Sequence, residues 1–177
     1  MKLLKKIFSA RENHAGNVPG IQDVIGNLRL LSKGEGAIAE FYQLCGDVLT
    51  DDRAFWHEVA KCERTHAETA LKMADLVERE PGKYRPGNSC NVALIRLLSA
   101  HIHDLVARMR EGMIRKEELL SMAADIESSV VELSYKDLVK TNVTEYCAMA
   151  RRLEEDTAGH RRAFEERMKG NCRVPGP

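Results

Sequence analysis

Glu35-Gly36-Ala37-Ile38-Ala39-Glu40-Phe41-Tyr42, followed by Glu63-Arg64-Thr65-His66, is the stretch that decides how this chain reads. A degraded version comes later: Ser128-Ser129-Val130-Val131-Glu132-Leu133-Ser134-Tyr135, then Thr157-Ala158-Gly159-His160. Tyr42 and Tyr135 are 93 residues apart and His66 and His160 are 94 apart, so two helix pairs read as copies of one unit. Glu63 and His66 are three residues apart on a helix, which separates them by about 60° around the axis and lets both reach a single cation.

Outward from these motifs, nearly everything from Gln22 to Lys169 follows a helical period, and the one dense run of helix breakers lies between Pro81 and Ser89. The spacing predicts a helix over 22–49, weakened by Gly26, Gly34 and Gly36, and a second over Asp51–Arg79 capped by Thr50 or Asp51. Asn91–Arg110 reads as a crossover helix with Val92, Ile95, Leu98, Ile102, Leu105 and Met109 on one face. Lys116–Lys140 and Thr144–Lys169 supply a third and fourth main helix around a polar turn near Thr141 and Asn142. No segment reads as a strand. The expected fold is all-α, an up-down four-helix bundle with a long helical crossover between helices 2 and 3, which is ferritin-like connectivity. Residues 1–20 form an N-terminal extension, 21–169 the bundle domain and 170–177 a C-terminal tail.

At 177 residues and 44% hydrophobic content the chain can bury one good core. Its 27 basic and 27 acidic side chains cancel, so no overall field favours nucleic acid or a membrane surface. No stretch approaches the roughly 20 apolar residues of a transmembrane helix. The basic start, Met1 to Phe8, has apolar stretches too short for a secretory signal. The five cysteines, at 45, 62, 90, 147 and 172, form no Cys-x-x-Cys pair, which points to a reducing cytoplasm. Cys45, Cys62 and Cys147 sit among apolar helix residues and read as packing residues.

Burial patterns select the candidate site. On the second helix Phe55, Val59, Cys62, Ala70, Met73 and Val77 define the core stripe, and Glu63 and His66 fall inside it. A buried carboxylate is costly without a partner. Glu35 lies at the edge of the face marked by Ile38, Tyr42, Cys45 and Leu49 on the first helix. On the fourth, Tyr146, Met149, Leu153, Phe164 and Met168 share a stripe with His160, while Asp156 flanks it. The third helix admits two alignments: matching the tyrosines sets Ser128 opposite Glu35, whereas the stripe of Leu120, Ala123, Val130, Val131 and Leu138 points Glu127 inward. The burial pattern favours Glu127. His14, His57, His101 and His103 read as surface or core-edge residues, and the arginine pairs at 151–152 and 161–162 as a solvated, ion-paired face.

With Glu35 and Ala39–Tyr42, Glu63–His66, Ala124–Glu127 with Glu132, and Leu153–His160 in this order, the chain resembles the rubrerythrin-like branch of the ferritin-like superfamily from about Ile21 to Met168. Such proteins hold two iron or manganese ions with one Glu from each of two helices and a Glu-x-x-His from each of the other two. Carried over, the resemblance implies Glu35, Glu63, His66, Glu127 and His160 as metal ligands, with Thr157 standing where a sixth belongs. It implies an asymmetric, partly depleted site for iron, dinuclear or mononuclear, with manganese or zinc as alternatives. Tyr42 is the implied catalytic residue, placed, like Tyr135, to tune or quench oxidising intermediates. The implied activity is oxygen or peroxide redox chemistry, that of a di-iron oxidoreductase or peroxidase, or iron handling, in a homodimer. The rubredoxin module of the family has no counterpart here, so electrons would come from an external donor. A second reading stays open: Glu63 and Glu127 satisfy His66 and His160 inside a metal-free helical bundle that works as a dimerisation or protein-interaction module.

Overall fold

The computed structural model describes residues 20–87, 92–133 and 135–171. Five helices account for most of them: α1 (Ile21–Val48), α2 (Arg53–Arg79), α3 (Val92–Arg110), α4 (Leu119–Leu133) and α5 (Thr144–Asn171). The fold is all-α, as the periodicity requires. The N-terminal extension with His14, the tail with Cys172, and Cys90 lie outside the described residues.

Local chemistry sets the helix ends. At the start of α1 the Asp23 carboxylate accepts the Gly20 backbone N–H at 2.7 Å, satisfying a group in the linker before the first turn. α1 then runs unbroken through Gly26, Gly34 and Gly36. Thr50 and Asp51, expected as caps, sit instead in a 3-10 turn, and the residue before α2 is Asp52, whose side chain makes no capping bond. α2 stops ahead of Pro81, because the residue before a proline is disfavoured in helical geometry. Just past the end of α3, Gly112 adopts φ 68°; the Gly112 N–H bonds to Met109 O at 3.1 Å and the Met113 N–H to Arg108 O at 2.9 Å. That pair of bonds closes the helix end around a left-handed residue that favours glycine.

Two expectations are overturned. The third main helix does not run from Lys116 to Lys140: a 3-10 turn at Lys116–Glu118 leads into α4, which ends at Leu133, and another turn follows at Tyr135–Asp137. A strand also occurs, β2 (Val139–Lys140), paired antiparallel with β1 (Arg85–Pro86) in the register Arg85 to Lys140 and Pro86 to Val139. Tyr135 and Leu138 are both buried, so the apolar period continues across the break and hides it. The breaker run supplies the partner edge. Pro86 has no N–H to give, and the Gly87 N–H donates to Leu138 O at 2.9 Å. A Cβ on Gly87 would run into the Asp137 carbonyl, so only glycine fits between these backbones.

α1 and α2, joined by four residues, pack antiparallel along their length; α3 lies on α1, α4 pairs with α5, and α5 meets α2. The core is continuous across all five helices. At one end Phe164 of α5 packs against Trp56, Phe55 and Tyr42, with ring centroids 5.2, 5.3 and 5.4 Å away. Trp56 is fully buried, although the expected α2 stripe ran through Phe55 instead. Phe55 is half-buried beneath the Arg167 guanidinium, 3.4 Å from the ring centroid. Among the described residues no helix is long and apolar enough to cross a membrane.

Candidate metal centre

Four helices deliver the candidate residues to one buried place: Glu35 from α1, Glu63 and His66 from α2, Glu127 from α4 and His160 from α5. Glu35, Glu63, His66 and Glu127 are each only 2% exposed. Their donor atoms form two overlapping groups, Glu35 with Glu63 and His66, and Glu63 with Glu127 and His160, each with all atoms within 4.8 Å of one another. Glu63 belongs to both. All five residues expected at the site therefore converge. Of the two alignments for the third helix, Glu127 points inward, and the Ser128 hydroxyl donates to Ala124 O at 2.8 Å along its own helix.

The tyrosines cross between the repeats. The Tyr42 hydroxyl donates to Glu127 Oε1 at 2.7 Å, and the Tyr135 hydroxyl donates to Glu35 Oε1. Each repeat's phenol thus serves the other repeat's carboxylate. His66 Nδ1 lies 2.9 Å from Glu63 Oε2, and the His66 and His160 rings stack with centroids 5.7 Å apart. His160 Nδ1 and Glu63 Oε1 are 2.7 Å apart yet not aligned as a hydrogen bond, so both atoms, with Glu35 Oε2, stay buried without a hydrogen-bond partner. Buried polar atoms are almost always partnered. Glu63 Oε1 and His160 Nδ1 meet only as an ion pair and Glu35 Oε2 meets none, and oxygen and nitrogen donors converging in this way from three helices suit a shared cation, so the residues present fit a metal.

Thr157 is buried, but its hydroxyl donates to Leu153 O at 2.8 Å and is committed to the helix backbone. Asp156 does not replace it. Its carboxylate turns to the other side of His66, with Oδ2 3.4 Å from Nε2, and also faces Arg152 at 3.6 Å. Cys62 is more than the packing residue expected: its sulfur lies 3.5 Å from His66 Nε2. The signal was its place four residues before His66, on the same helix face. Cys45 is a buried core residue, as expected. Between α1 and α3 a cavity of about 10 Å³ bordered by Gly34, Ser99 and Ile102 reaches Glu35. It has room for about one water molecule.

Burial and mutual charge set the protonation of the cluster. Burial, reinforced by the Glu63 charge, pushes Glu35 well above the ordinary carboxylate range and Glu127 up to about 8. Burial opposes ionisation of Glu63 too, but His160 and His66 outweigh it and hold that carboxyl at about 2. For His66 burial disfavours the cation, yet contacts with Cys62 and Glu63 raise it to about 11; the same partners raise His160 to about 10. Contacts with His160 and His66 bring the Cys62 thiol down to about 7. Burial raises both tyrosines well above their ordinary value, so Tyr42 and Tyr135 remain phenols that donate.

A pH dependence follows. The histidines, raised above 6.5, contribute stability that is fully present below that pH and lost as pH climbs through about 10 and 11. Glu127, raised above 4.5, contributes stability that is lost as pH climbs through about 8. Glu63, depressed, loses its contribution only as pH falls through about 2. In the presence of chelator the unfolding free energy is therefore expected to fall between pH 6.5 and 9, by about 1.4 kcal/mol per pH unit for each proton retained only by the folded chain. A bound divalent cation must displace these protons, so its own stabilisation is expected to grow over the same interval. Urea titrations at several pH values with and without metal measure both slopes, and a flat chelated profile would count against the assigned protonation.

Chemically, the cluster offers three carboxylates and two imidazoles in a dry interior, a donor set that suits iron, manganese and zinc. Compared with protein-family models, with curated proteins and with solved structures, the chain matches none.

Proposed function

We propose that residues 21–169 form a ferritin-like, rubrerythrin-like four-helix bundle in the cytoplasm that binds iron at a dinuclear site and acts in oxygen or peroxide redox chemistry or in iron handling. The observation that carries this is Glu63, which belongs to both groups of donor atoms and so would serve both metal positions. Two helix pairs, α1 with α2 and α4 with α5, joined through the helical crossover α3, agree with that connectivity.

Glu35 and His66 would complete one position around Glu63, and Glu127 and His160 the other. Thr157 stands where a second bridge belongs, so the depletion falls on the bridge rather than on one half. Three carboxylates cannot neutralise two divalent cations, and the second ion is held more weakly. Iron, when bound, supplies one-electron chemistry toward oxygen species. The protein's share would be to exclude bulk water and fix the ligands, with the two tyrosine hydroxyls holding Glu127 and Glu35 in place. The Tyr42 phenol, bonded directly to Glu127, is the catalytic candidate. Electrons would come from a separate donor.

Anaerobic titration with ferrous iron, followed by desalting and metal analysis, tests the proposal. Two irons per chain are expected, the first bound at least about tenfold more tightly, with Glu127→Gln reducing the count to one. A wild-type chain with no stoichiometric metal would favour the alternative, a metal-free bundle working through dimerisation or a protein partner. One contact favours that alternative: the 2.9 Å pair of His66 and Glu63 satisfies part of the cluster without a cation.

A further inference from the structure

We propose that the side of His66 facing away from the inner cluster is a separate cation position, built from His66 Nε2, Cys62 Sγ and Asp156 Oδ2, that takes a thiophilic divalent cation of the zinc or cobalt class. The three donor atoms lie within 4.8 Å of one another, with the sulfur 3.5 Å and the carboxylate oxygen 3.4 Å from the ring nitrogen. Cys62 and His66 project from successive turns of α2, and Asp156 arrives from α5, so two packed helices fix the set.

Composition separates this position from the inner one. The inner cluster has only oxygen and nitrogen donors, whereas a sulfur donor beside an imidazole and a carboxylate selects softer ions and suits tetrahedral zinc, with one coordination position left for water. Access separates them as well. The Asp156 side chain is 34% exposed and Cys62 half-buried, against 3% for Glu63, so two of the three donor residues of the outer position meet solution while His66 itself is buried. The competitor is Arg152, 3.6 Å from the same carboxylate oxygen and 77% exposed, which forms the kind of surface pair a bound cation displaces.

One ring serves two directions. A neutral imidazole has a single lone pair, so a cation on Nε2 leaves the proton on Nδ1, where Glu63 accepts it. Filling the outer position and coordinating an inner ion through His66 are therefore antagonistic. The outer position itself does not require the dinuclear reading, because His66 is the only donor residue the two share; His160, which Cys62 also contacts, supplies no donor here.

Anaerobic titration of the reduced full chain with Co²⁺ is the test. Thiolate bound to cobalt gives a charge-transfer band in the near ultraviolet, expected to saturate at one equivalent and to vanish in Cys62→Ser. Asp156→Asn, at a partly exposed residue that leaves the core intact, is expected to weaken the cobalt affinity read by that band at least about tenfold. Glu127→Gln is expected to leave the band unchanged. No band in the wild type, or a band that survives Cys62→Ser, overturns the proposal. Cys62→Ser should still take up iron at the inner cluster, so loss of the band with normal iron stoichiometry separates failure here from failure of the iron-binding proposal.

Discussion

Glu63→Ala is expected to abolish iron binding at both inner positions at once and to cost the metal-free protein about 3–5 kcal/mol, the usual penalty for breaking a buried ion pair. No other single residue should do both. Glu63 is shared by the two groups of donor atoms, and its two oxygens face His66 at 2.9 Å and His160 at 2.7 Å. Without it two imidazoles raised far above their ordinary value lose their shared counter-ion, leaving Asp156 at 3.4 Å for His66 and Glu127 at 3.8 Å for His160. Glu35 is expected to matter less, since it belongs to one group only. Glu63→Gln separates the two effects: it keeps the shape and a hydrogen-bonding amide, so stability should recover in part while iron binding stays lost. Metal analysis and urea unfolding on the three proteins decide the matter. Unchanged iron content in Glu63→Ala, or a larger loss in Glu35→Ala than in Glu63→Ala, would refute the bridging role.

Phe164→Ala is expected to cost about 3–5 kcal/mol, in the range for removing a fully buried aromatic side chain. For a chain of this size that lowers the thermal midpoint by roughly 10 °C or more. Phe164 is 0% exposed and joins three helices, through Trp56 and Phe55 of α2 and Tyr42 of α1. The lost ring would also free Tyr42, whose hydroxyl holds Glu127, so weaker binding at the Glu127 position should accompany the loss of stability. Phe164→Leu fills much of the volume and should recover more than half of the stability. A loss below about 1 kcal/mol in Phe164→Ala, measured by urea unfolding, would mean that the aromatic cluster is not what ties α5 to α1 and α2.

The helices and the inner cluster were legible in the sequence because both rest on a single variable, which face of a helix is apolar. That variable placed Glu63 and His66 among core residues and chose Glu127 over Ser128, and the structure brings all of these together. It could not show the break after Leu133, since Tyr135 and Leu138 stay buried whether the backbone coils or extends. Nor could it assign Asp156, whose contact with His66 depends on how far α5 is rotated against α2, a property of two helices rather than of one. Cys62 was misjudged for a related reason: the apolar stripe counted it as filler, while its neighbour on the next turn made it a candidate donor. Trp56 displaced Phe55 from the centre because the core at that end is shaped by Phe164, more than a hundred positions away on the last helix.

The crossed tyrosines tie the two halves of the chain to each other. Because Tyr42 reaches Glu127 and Tyr135 reaches Glu35, each half of the chain solvates an acid it does not own. Removing either phenol leaves a buried carboxyl of the other half without its donor, whereas Thr157 sits outside this exchange, its hydroxyl bonded to its own helix. The arrangement is symmetric in what orients the acids, one phenol from each half of the chain, so the two halves are held in register by the site itself and not by the apolar core alone.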